Sequence, residues 1–246
     1  MRPYISLLIV VCFLLGVQSL HAKDDREVIN IITPAWKGWT NADGSGFYFD
    51  IMREVFQEEH FEIKYQIAPF KRSKHMVQSG SADAMFGVFS EALRRDDIAT
   101  PFYHIDEAYY SVVFKRTLVW DGIQSLVGKR IMIPRSYNIK FQLGIDFEVI
   151  DVSDSQQGLK MLSADREAYF VSDHDEIFAA SQSINIPLER YRVEKINKHK
   201  LYVGFAGNAK GRKLARVFDR RFAELLHNKT VQGLQRKWGL EVDTWE

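Results

Sequence analysis

Four adjacent residues carry side chains that bind metal ions or transfer protons: Asp173, His174, Asp175 and Glu176. Neighbouring residues of a regular helix or strand point in different directions, so these four side chains cannot all reach one ion. No H-E-x-x-H or similar metal-binding spacing occurs elsewhere in the sequence. We therefore expect neither a metal site nor a bound cofactor.

Three histidines are candidates for acid–base chemistry: His75, His104 and His174. A catalytic histidine acts on a nucleophile or a substrate proton within hydrogen-bond reach. None of the three stands in a motif that supplies a recognisable nucleophile or base, and the G-x-S-x-G and phosphate-loop signatures are absent. The sequence therefore favours a binding protein over an enzyme.

The stretch from residue 65 to residue 116 is expected to position a binding site. Its pattern predicts a strand, a short helix and a second, buried strand, at residues 63–67, 71–79 and 84–89. Strand, helix and strand form a βαβ unit, and ligands of open α/β sheets bind beyond the carboxyl ends of the strands. The loops at residues 70–72 and 89–94 should therefore border one cleft.

Further strands and helices are predicted along the rest of the chain. The strands lie at residues 28–33, 109–114, 130–133, 147–152, 168–172, 190–196 and 201–205. The helices follow an Asp50 cap, span residues 155–162, begin at residue 208 and span residues 231–238. Strands that alternate with helices indicate an α/β protein.

Several short motifs occur in a set order: G-x-x-D-A at residues 80–84, then Arg94, then the run ATPFY at residues 99–103. This order resembles the periplasmic solute-binding proteins of family 3, which serve polar amino-acid ABC importers. The likeness extends to residues 43–56, 68–73, 125–133 and 211–239.

The resemblance implies a two-lobed α/β fold of the periplasmic-binding-protein-like type II class, with a hinge between the lobes. The first lobe would comprise residues 23–113 and the return segment 203–246. The second lobe would comprise residues 114–202. Closure of the hinge would enclose a ligand between the lobes.

The resemblance also implies roles for three residues. Arg94 stands where the family binds a carboxylate, and its planar guanidinium suits such a group. Asp173 stands where the family binds an amine. Trp36 stands where the family often stacks an aromatic side chain, although a lid over the core is the alternative role of this loop.

Three more residues are candidate ligand contacts. Arg72 is a second cation at the expected cleft. Ser136 lies between a strand and a helical stretch, so its hydroxyl is suited either to hold an anionic group or to cap the helix. Phe89 replaces the Ser or Thr usual in amino-acid binders of the family, so another polar or aromatic solute fits as well as an α-amino acid.

The first 22 residues have the layout of a secretory signal peptide, with an apolar run at residues 5–17 and a small residue, Ala22, before the expected cleavage site. An uncleaved membrane anchor is the alternative, but this run is shorter than the roughly 20 residues that a span requires. Cleavage would remove Cys12, the only cysteine, and leave equal numbers of basic and acidic residues. A thiol-free chain suits the periplasm, and a neutral one argues against nucleic acid as a partner.

Together these features predict a monomeric periplasmic protein that captures a small polar solute, an amino acid or a related compound, for the membrane permease of an ABC importer. Two alternatives share the fold. One is a secreted enzyme similar to the cyclohexadienyl dehydratases, and the other is a ligand-sensing partner of a membrane receptor.

Overall fold

The computed structural model describes residues 26–57, 61–89, 97–135, 139–240 and 242. The predicted signal peptide, Arg94 and Ser136 lie outside the described residues. The strands are β1 (Glu27–Thr33), β2 (Phe61–Ile67), β3 (Ala84–Phe89), β4 (Ile98–Ala99), β5 (Asp106–Lys115), β6 (Arg130–Pro134), β7 (Glu148–Val152), β8 (Tyr169–Asp173) and β9 (Tyr191–Ala206). The helices are α1 (Phe47–Phe56), α2 (Phe70–Gln78), α3 (Ile139–Leu143), α4 (Ser155–Ser163), α5 (His174–Ser183), α6 (Ala209–His227) and α7 (Thr230–Lys237).

The strands form one sheet in the order β2-β1-β3-β9-β5-β8-β6-β7, and β4 pairs with β9. β1 is parallel to β2 and β3, and β6 is parallel to β7 and β8. Between these two parallel groups, β9 runs antiparallel to both β3 and β5. Two α/β halves are therefore joined by long antiparallel strands, which confirms the predicted two-lobed α/β fold.

Each lobe buries its own apolar core. In the first lobe, the apolar faces of α1 and α6 pack on the sheet. This core includes Phe47, Phe49, Phe86, Phe205 and Phe218. In the second lobe, the core includes Phe114, Ile131, Phe147, Tyr169 and Val171. Removal of this apolar surface from water is the main force that stabilises each lobe.

The chain passes between the two cores along β5 and β9. Ile105, directly before β5, belongs to the first core, whereas Tyr110 belongs to the second. On β9, Ile196 packs against the second core and Val203 belongs to the first. The positions at which the chain passes from one lobe to the other, predicted near residues 113 and 203, stay a prediction.

β9 differs from the two strands that were expected at residues 190–196 and 201–205, because it is continuous from Tyr191 to Ala206. Residues 197–200 are polar, so the apolar alternation stops there. Their backbone nevertheless pairs with β5, for example Asn197 with Tyr110. Strand pairing uses backbone groups, so polar side chains need not interrupt it.

α1 begins at Phe47, and the prediction that Asp50 caps this helix was wrong. Gly46 precedes the helix with a φ of 130°, and a Cβ at this position would lie 2.2 Å from the carbonyl oxygen of Trp39. Only glycine fits such a site. Asp50 instead accepts hydrogen bonds from Lys237 Nζ (2.8 Å) and Trp238 Nε1 (2.9 Å), which ties α1 to the end of α7.

Asp83, from the G-x-x-D-A motif, joins three parts of the first lobe. Its Oδ2 accepts hydrogen bonds from the backbone N–H of Asn30 on β1 (2.8 Å) and from Lys210 Nζ on α6 (2.8 Å). Its own carbonyl accepts from the N–H of Ala206 at the end of β9 (2.9 Å). This motif therefore has a structural role in the first lobe, since Asp83 is buried among these groups.

We expect Asp83→Ala to lower the free energy of unfolding by about 2–3 kcal/mol, because the half-buried ammonium of Lys210 loses its carboxylate. Urea denaturation followed by circular dichroism measures this change. Asp151→Ala, at an exposed position of β7, is the matched control and should change the midpoint little. Equal midpoints for the two variants would show that the Asp83 contacts do not stabilise the lobe.

Candidate functional site

Trp36 joins the two lobes. It lies on the loop that follows β1, and its Nε1 donates a hydrogen bond to Glu176 Oε1 in the first turn of α5 (3.2 Å). The loop is held by Thr40, whose Oγ1 accepts from the N–H of Trp36 (3.0 Å) and donates to the carbonyl of Pro34 (2.7 Å). The indole N–H of Trp36 thus contacts the second lobe, whereas its role as an aromatic wall for a ligand stays a prediction.

The indole of Trp36 rests on the backbone of β3. Gly87 has a φ of 76°, and a Cβ at this position would lie 2.7 Å from Cη2 of Trp36. On another side, the ring centroid of Phe70 lies 6.3 Å from that of Trp36. Both the backbone conformation and the indole therefore require glycine at position 87.

Asp173 and Glu176 present carboxylates from the second lobe. Asp173 is the last residue of β8, and its Oδ1 accepts hydrogen bonds from the N–H groups of Asp175 (3.0 Å) and Glu176 (3.3 Å). It is therefore the N-cap of α5. Glu176 binds Trp36 through Oε1 and accepts from Ser155 Oγ through Oε2 (3.4 Å).

The pKa of Asp173 is raised by its surroundings at the start of α5. Burial raises the pKa of this carboxyl to about 7, with a further contribution from the neighbouring carboxylates of Glu176 and Asp175. The two backbone N–H groups that bind Asp173 oppose this rise in pKa. A positive charge placed beside these residues would favour the ionised form of Asp173.

Phe89, the last residue of β3, turns towards the second lobe. Its ring packs against the second core, with centroid distances of 4.7 Å to His199 and 6.0 Å to Tyr110. The rings of Tyr110 and His199 lie 4.3 Å apart. Phe89 thus fills the space between the lobes beside the crossing strands, whereas its predicted contact with a ligand stays a prediction.

Asp106 is a polar centre of the site that sequence reasoning missed. Its Oδ2 accepts hydrogen bonds from Trp39 Nε1 (2.8 Å) and from the hydroxyl of Tyr48 (2.8 Å). Burial and the Asp106 charge hold the pKa of Tyr48 well above its usual range, so the phenol keeps its proton and donates. The signal that pointed here was the second tryptophan of the loop, because a partly buried indole N–H needs an acceptor.

The other candidate ligand contacts are Arg72, Arg94 and Ser136. Arg72 is exposed on α2. Among the predicted site residues that the structure describes, Trp36 and the Asp173 turn are brought together by Glu176. The roles of Arg94 and Ser136 stay predictions, since both residues lie outside the described part of the chain.

The three candidate histidines have different surroundings. His174 Nδ1 lies 2.8 Å from Ser111 Oγ, but Ser111 is fully buried. Burial, and after it the charges of Lys195 and Lys200, lower the pKa values of His174 and His104, respectively. His75 is exposed on α2.

The residues that the structure describes include neither a metal-binding cluster nor a membrane-spanning helix. No cluster of three or more His, Cys, Asp or Glu side chains there is arranged to hold a metal ion. No helix there combines the length and the apolar character needed to cross a membrane.

No protein-family model and no curated protein matches the chain. Several solved structures are similar to it. A substrate-binding protein of an ABC uptake transporter from Streptococcus pneumoniae, with bound histidine, is 18% identical, with a TM-score of 0.68 over 88% of this chain and 94% of its own. A structure from a study of glutathione import through an ABC importer of Streptococcus mutans is 14% identical, with a TM-score of 0.69 over 89% and 98%.

A histidine kinase sensor domain with similarity to periplasmic binding proteins is 15% identical, with a TM-score of 0.70 over 88% of this chain and 97% of its own. These identities are low, so the likeness concerns the fold. The two-lobed periplasmic-binding-protein-like fold that the motifs implied is thereby confirmed, and the structural neighbours include substrate-binding proteins of amino-acid ABC importers.

The raised pKa of Asp173 predicts a pH-dependent stability. Between pH 4 and 7 the folded protein holds a proton on Asp173 that the unfolded chain, with a pKa near 3.8, releases. The free energy of unfolding contributed by this group therefore falls as the pH rises through that interval. We expect Asp173→Asn, which keeps an oxygen acceptor for the cap, to flatten this fall.

Urea midpoints measured at several pH values between 4 and 8 test this dependence. Asp151→Asn makes the same chemical change at an exposed position of β7 and should keep the pH profile of the unmodified protein. If the Asp173→Asn profile ran parallel to both, Asp173 would not be the titrating group.

Proposed function

We propose that this protein captures a small polar solute, an amino acid or a related compound, between its lobes in the periplasm and delivers it to the permease of an ABC importer. The observation that carries the proposal is the hydrogen bond from Trp36 Nε1 to Glu176 Oε1 (3.2 Å), which links a loop of the first lobe to a helix of the second.

This contact lies where open α/β sheets bind their ligands. Trp36 follows the carboxyl end of β1, and Glu176 follows that of β8. These two strand ends belong to different lobes, and polar side chains connect them. A solute that enters between them can exchange the contact of Trp36 with Glu176 for its own hydrogen bonds, so that binding and closure are coupled.

The residues around this contact suit a solute with both a polar head and an apolar body. The rings of Trp36 and Phe70 supply an apolar wall, and Asp173 and Glu176 supply acceptors for an amine. Arg94 would supply the cation for a carboxylate. The bound histidine of the similar Streptococcus pneumoniae protein is a solute of this chemical kind.

Binding for a membrane sensor is the second candidate. The histidine kinase sensor domain has a TM-score of 0.70 to this chain, as high as those of the transporter proteins. The two functions share the cleft and differ in the partner. Crosslinking in cells followed by mass spectrometry distinguishes them, since a permease is expected for transport and a receptor for sensing.

A thermal-shift screen against amino acids, small peptides, organic acids and aromatic amines tests solute capture. A solute at about 100 times its Kd should raise the free energy of unfolding by roughly 2.7 kcal/mol. We expect Trp36→Phe to weaken binding of the solute found by about tenfold or more, because the indole N–H can no longer donate to a charged group of the bound solute.

Trp120→Phe is the matched control, since Trp120 stacks on Phe114 in the second lobe and should leave affinity unchanged. Small-angle scattering with and without the solute adds a readout of closure. Equal affinities for both tryptophan variants would remove Trp36 from the site, and scattering that stays the same on binding would argue against a hinge.

A second expectation concerns Arg94. Loss of a charge-assisted bidentate contact should cost about 2–5 kcal/mol of binding, or roughly 30-fold or more in Kd. Calorimetry on Arg94→Ala should therefore show weak binding of an anionic solute, whereas its neighbour Arg95→Ala should bind as the unmodified protein does. The same Kd for both variants would leave Arg72 as the next candidate.

A further inference from the structure

The outer face of α6 carries four exposed cations: Arg212, Lys213, Arg216 and Arg220, here called the basic stripe. Arg212, Arg216 and Arg220 follow one another at intervals of four, so they share one face of the helix. Eight residues of helix span about 12 Å. The opposite face of α6, with Leu214, Phe218, Phe222 and Leu225, is buried in the first core.

The basic stripe belongs to a segment with a strong charge imbalance. Residues 209–237 contain nine Lys or Arg and two Asp or Glu, although the whole chain contains 33 and 32. The rest of the sequence is therefore acidic. Some of these cations have carboxylate partners: Lys210 binds Asp83, and Lys213 forms an exposed ion pair with Glu27 (2.8 Å). Exposed pairs of this kind contribute little and exchange readily.

A large aromatic side chain stands beside the stripe. Phe102 is 80% exposed. Its position is fixed, because Asp219 Oδ1 on α6 accepts hydrogen bonds from the N–H groups of Phe102 (2.7 Å) and Tyr103 (3.1 Å). Tyr103 in turn packs against Phe222, with 5.9 Å between ring centroids. Asp219 lies three residues after Arg216, so it neighbours Arg216 on the helix surface and holds Phe102 beside the stripe.

We propose that this face docks on a bilayer surface that contains anionic phospholipids. The cations of the basic stripe would contact the headgroup phosphates, and the ring of Phe102 would enter the interface. Clustered Lys and Arg side chains are attracted to anionic membrane surfaces, and aromatic side chains are favoured at the interface. The proposal does not depend on the function proposed for the cleft.

A bilayer fits this face better than a protein partner does. Protein interfaces have a centre depleted in charged residues and rich in apolar ones. The outer face of α6 offers a row of charges along its middle, and the large apolar side chain, Phe102, stands at its edge. A plane of phosphates needs no apolar centre and no matching shape.

The Lys213 end of the basic stripe lies away from the candidate cleft. Lys213 pairs with Glu27 at the amino end of β1, whereas Trp36 follows the carboxyl end of the same strand. The seven residues of β1 span about 20 Å. A membrane at the Lys213 end of the stripe would therefore lie away from the contact of Trp36 with Glu176.

Sedimentation with vesicles tests the proposal, using the protein as it is isolated from cells without detergent. Vesicles of phosphatidylglycerol mixed with phosphatidylcholine should bind it at least tenfold more tightly than vesicles of phosphatidylcholine alone, and added salt should weaken the binding. Arg216→Gln with Arg220→Gln should reduce the affinity about 30-fold, since each arginine contributes about fivefold. Phe102→Ser should reduce it threefold to tenfold.

Matched variants serve as controls. Lys160→Gln with Arg166→Gln removes two exposed cations from the second lobe, and Val119→Ser replaces a side chain that is 86% exposed; both should bind as the unmodified protein does. An apolar segment retained at the amino end would bind both kinds of vesicle and respond to none of the variants. Equal binding to both vesicles, equal loss in stripe and control variants, or no binding at all would each overturn the proposal. Absence of vesicle binding together with loss of a crosslinked protein in the stripe variant would assign the face to a protein partner.

Discussion

The ladder of backbone hydrogen bonds between β5 and β9 holds both lobes in one sheet. It runs from Asp106 opposite Leu201 to Lys115 opposite Tyr191. Both passages of the chain between the two cores lie on these strands, so any rotation of one lobe against the other must be absorbed here. The register shifts between Tyr110 and Ser111, and such an irregularity increases local twist.

The candidate cleft is coupled to these crossing strands through Asp106. This first residue of β5 accepts hydrogen bonds from Trp39, on the loop that presents Trp36, and from Tyr48 on α1. The tryptophan loop, the first helix and the crossing strand therefore share one carboxylate. A change in the position of β5 would therefore affect the loop that contacts Glu176.

Aromatic side chains fill the space beside β5 and β9. Phe89, Tyr110 and His199 contact one another, and the ammonium groups of Lys195 and Lys198 lie 4.2 Å and 5.8 Å from the ring centroid of Tyr109. A polar contact between the lobes lies at Trp36 and the acidic start of α5. The aromatic cluster beside β5 and β9 is thus distinct from the polar contact of Trp36 with Glu176.

Charge is separated on a larger scale as well. Carboxylates collect at the start of α5, inside the candidate cleft, whereas cations collect on the outer face of α6. Burial, and after it the neighbouring carboxylates, raise the pKa of Asp173, and a nearby positive charge would favour its ionised form. The basic stripe favours an anionic surface. These two regions lie on helices of different lobes, so a group bound at one need not block the other.

The local patterns of the sequence determined most of the elements. Apolar runs and alternation placed β1, β3, β8 and α4 to within a residue or two, because side-chain periodicity reports local backbone geometry. They also placed Trp36 after one strand and Asp173 at the end of another. The motif order implied the two-lobed fold.

Only the tertiary structure decided which side chains meet. Trp36 and Glu176 are 140 residues apart in sequence, and Trp39 and Asp106 are 67 apart. Local periodicity carries no information about such pairs, because they depend on how two separately packed lobes face each other. For the same reason Phe89, on a first-lobe strand, packs with the second core, and Asp50 binds the end of α7 instead of capping its own helix.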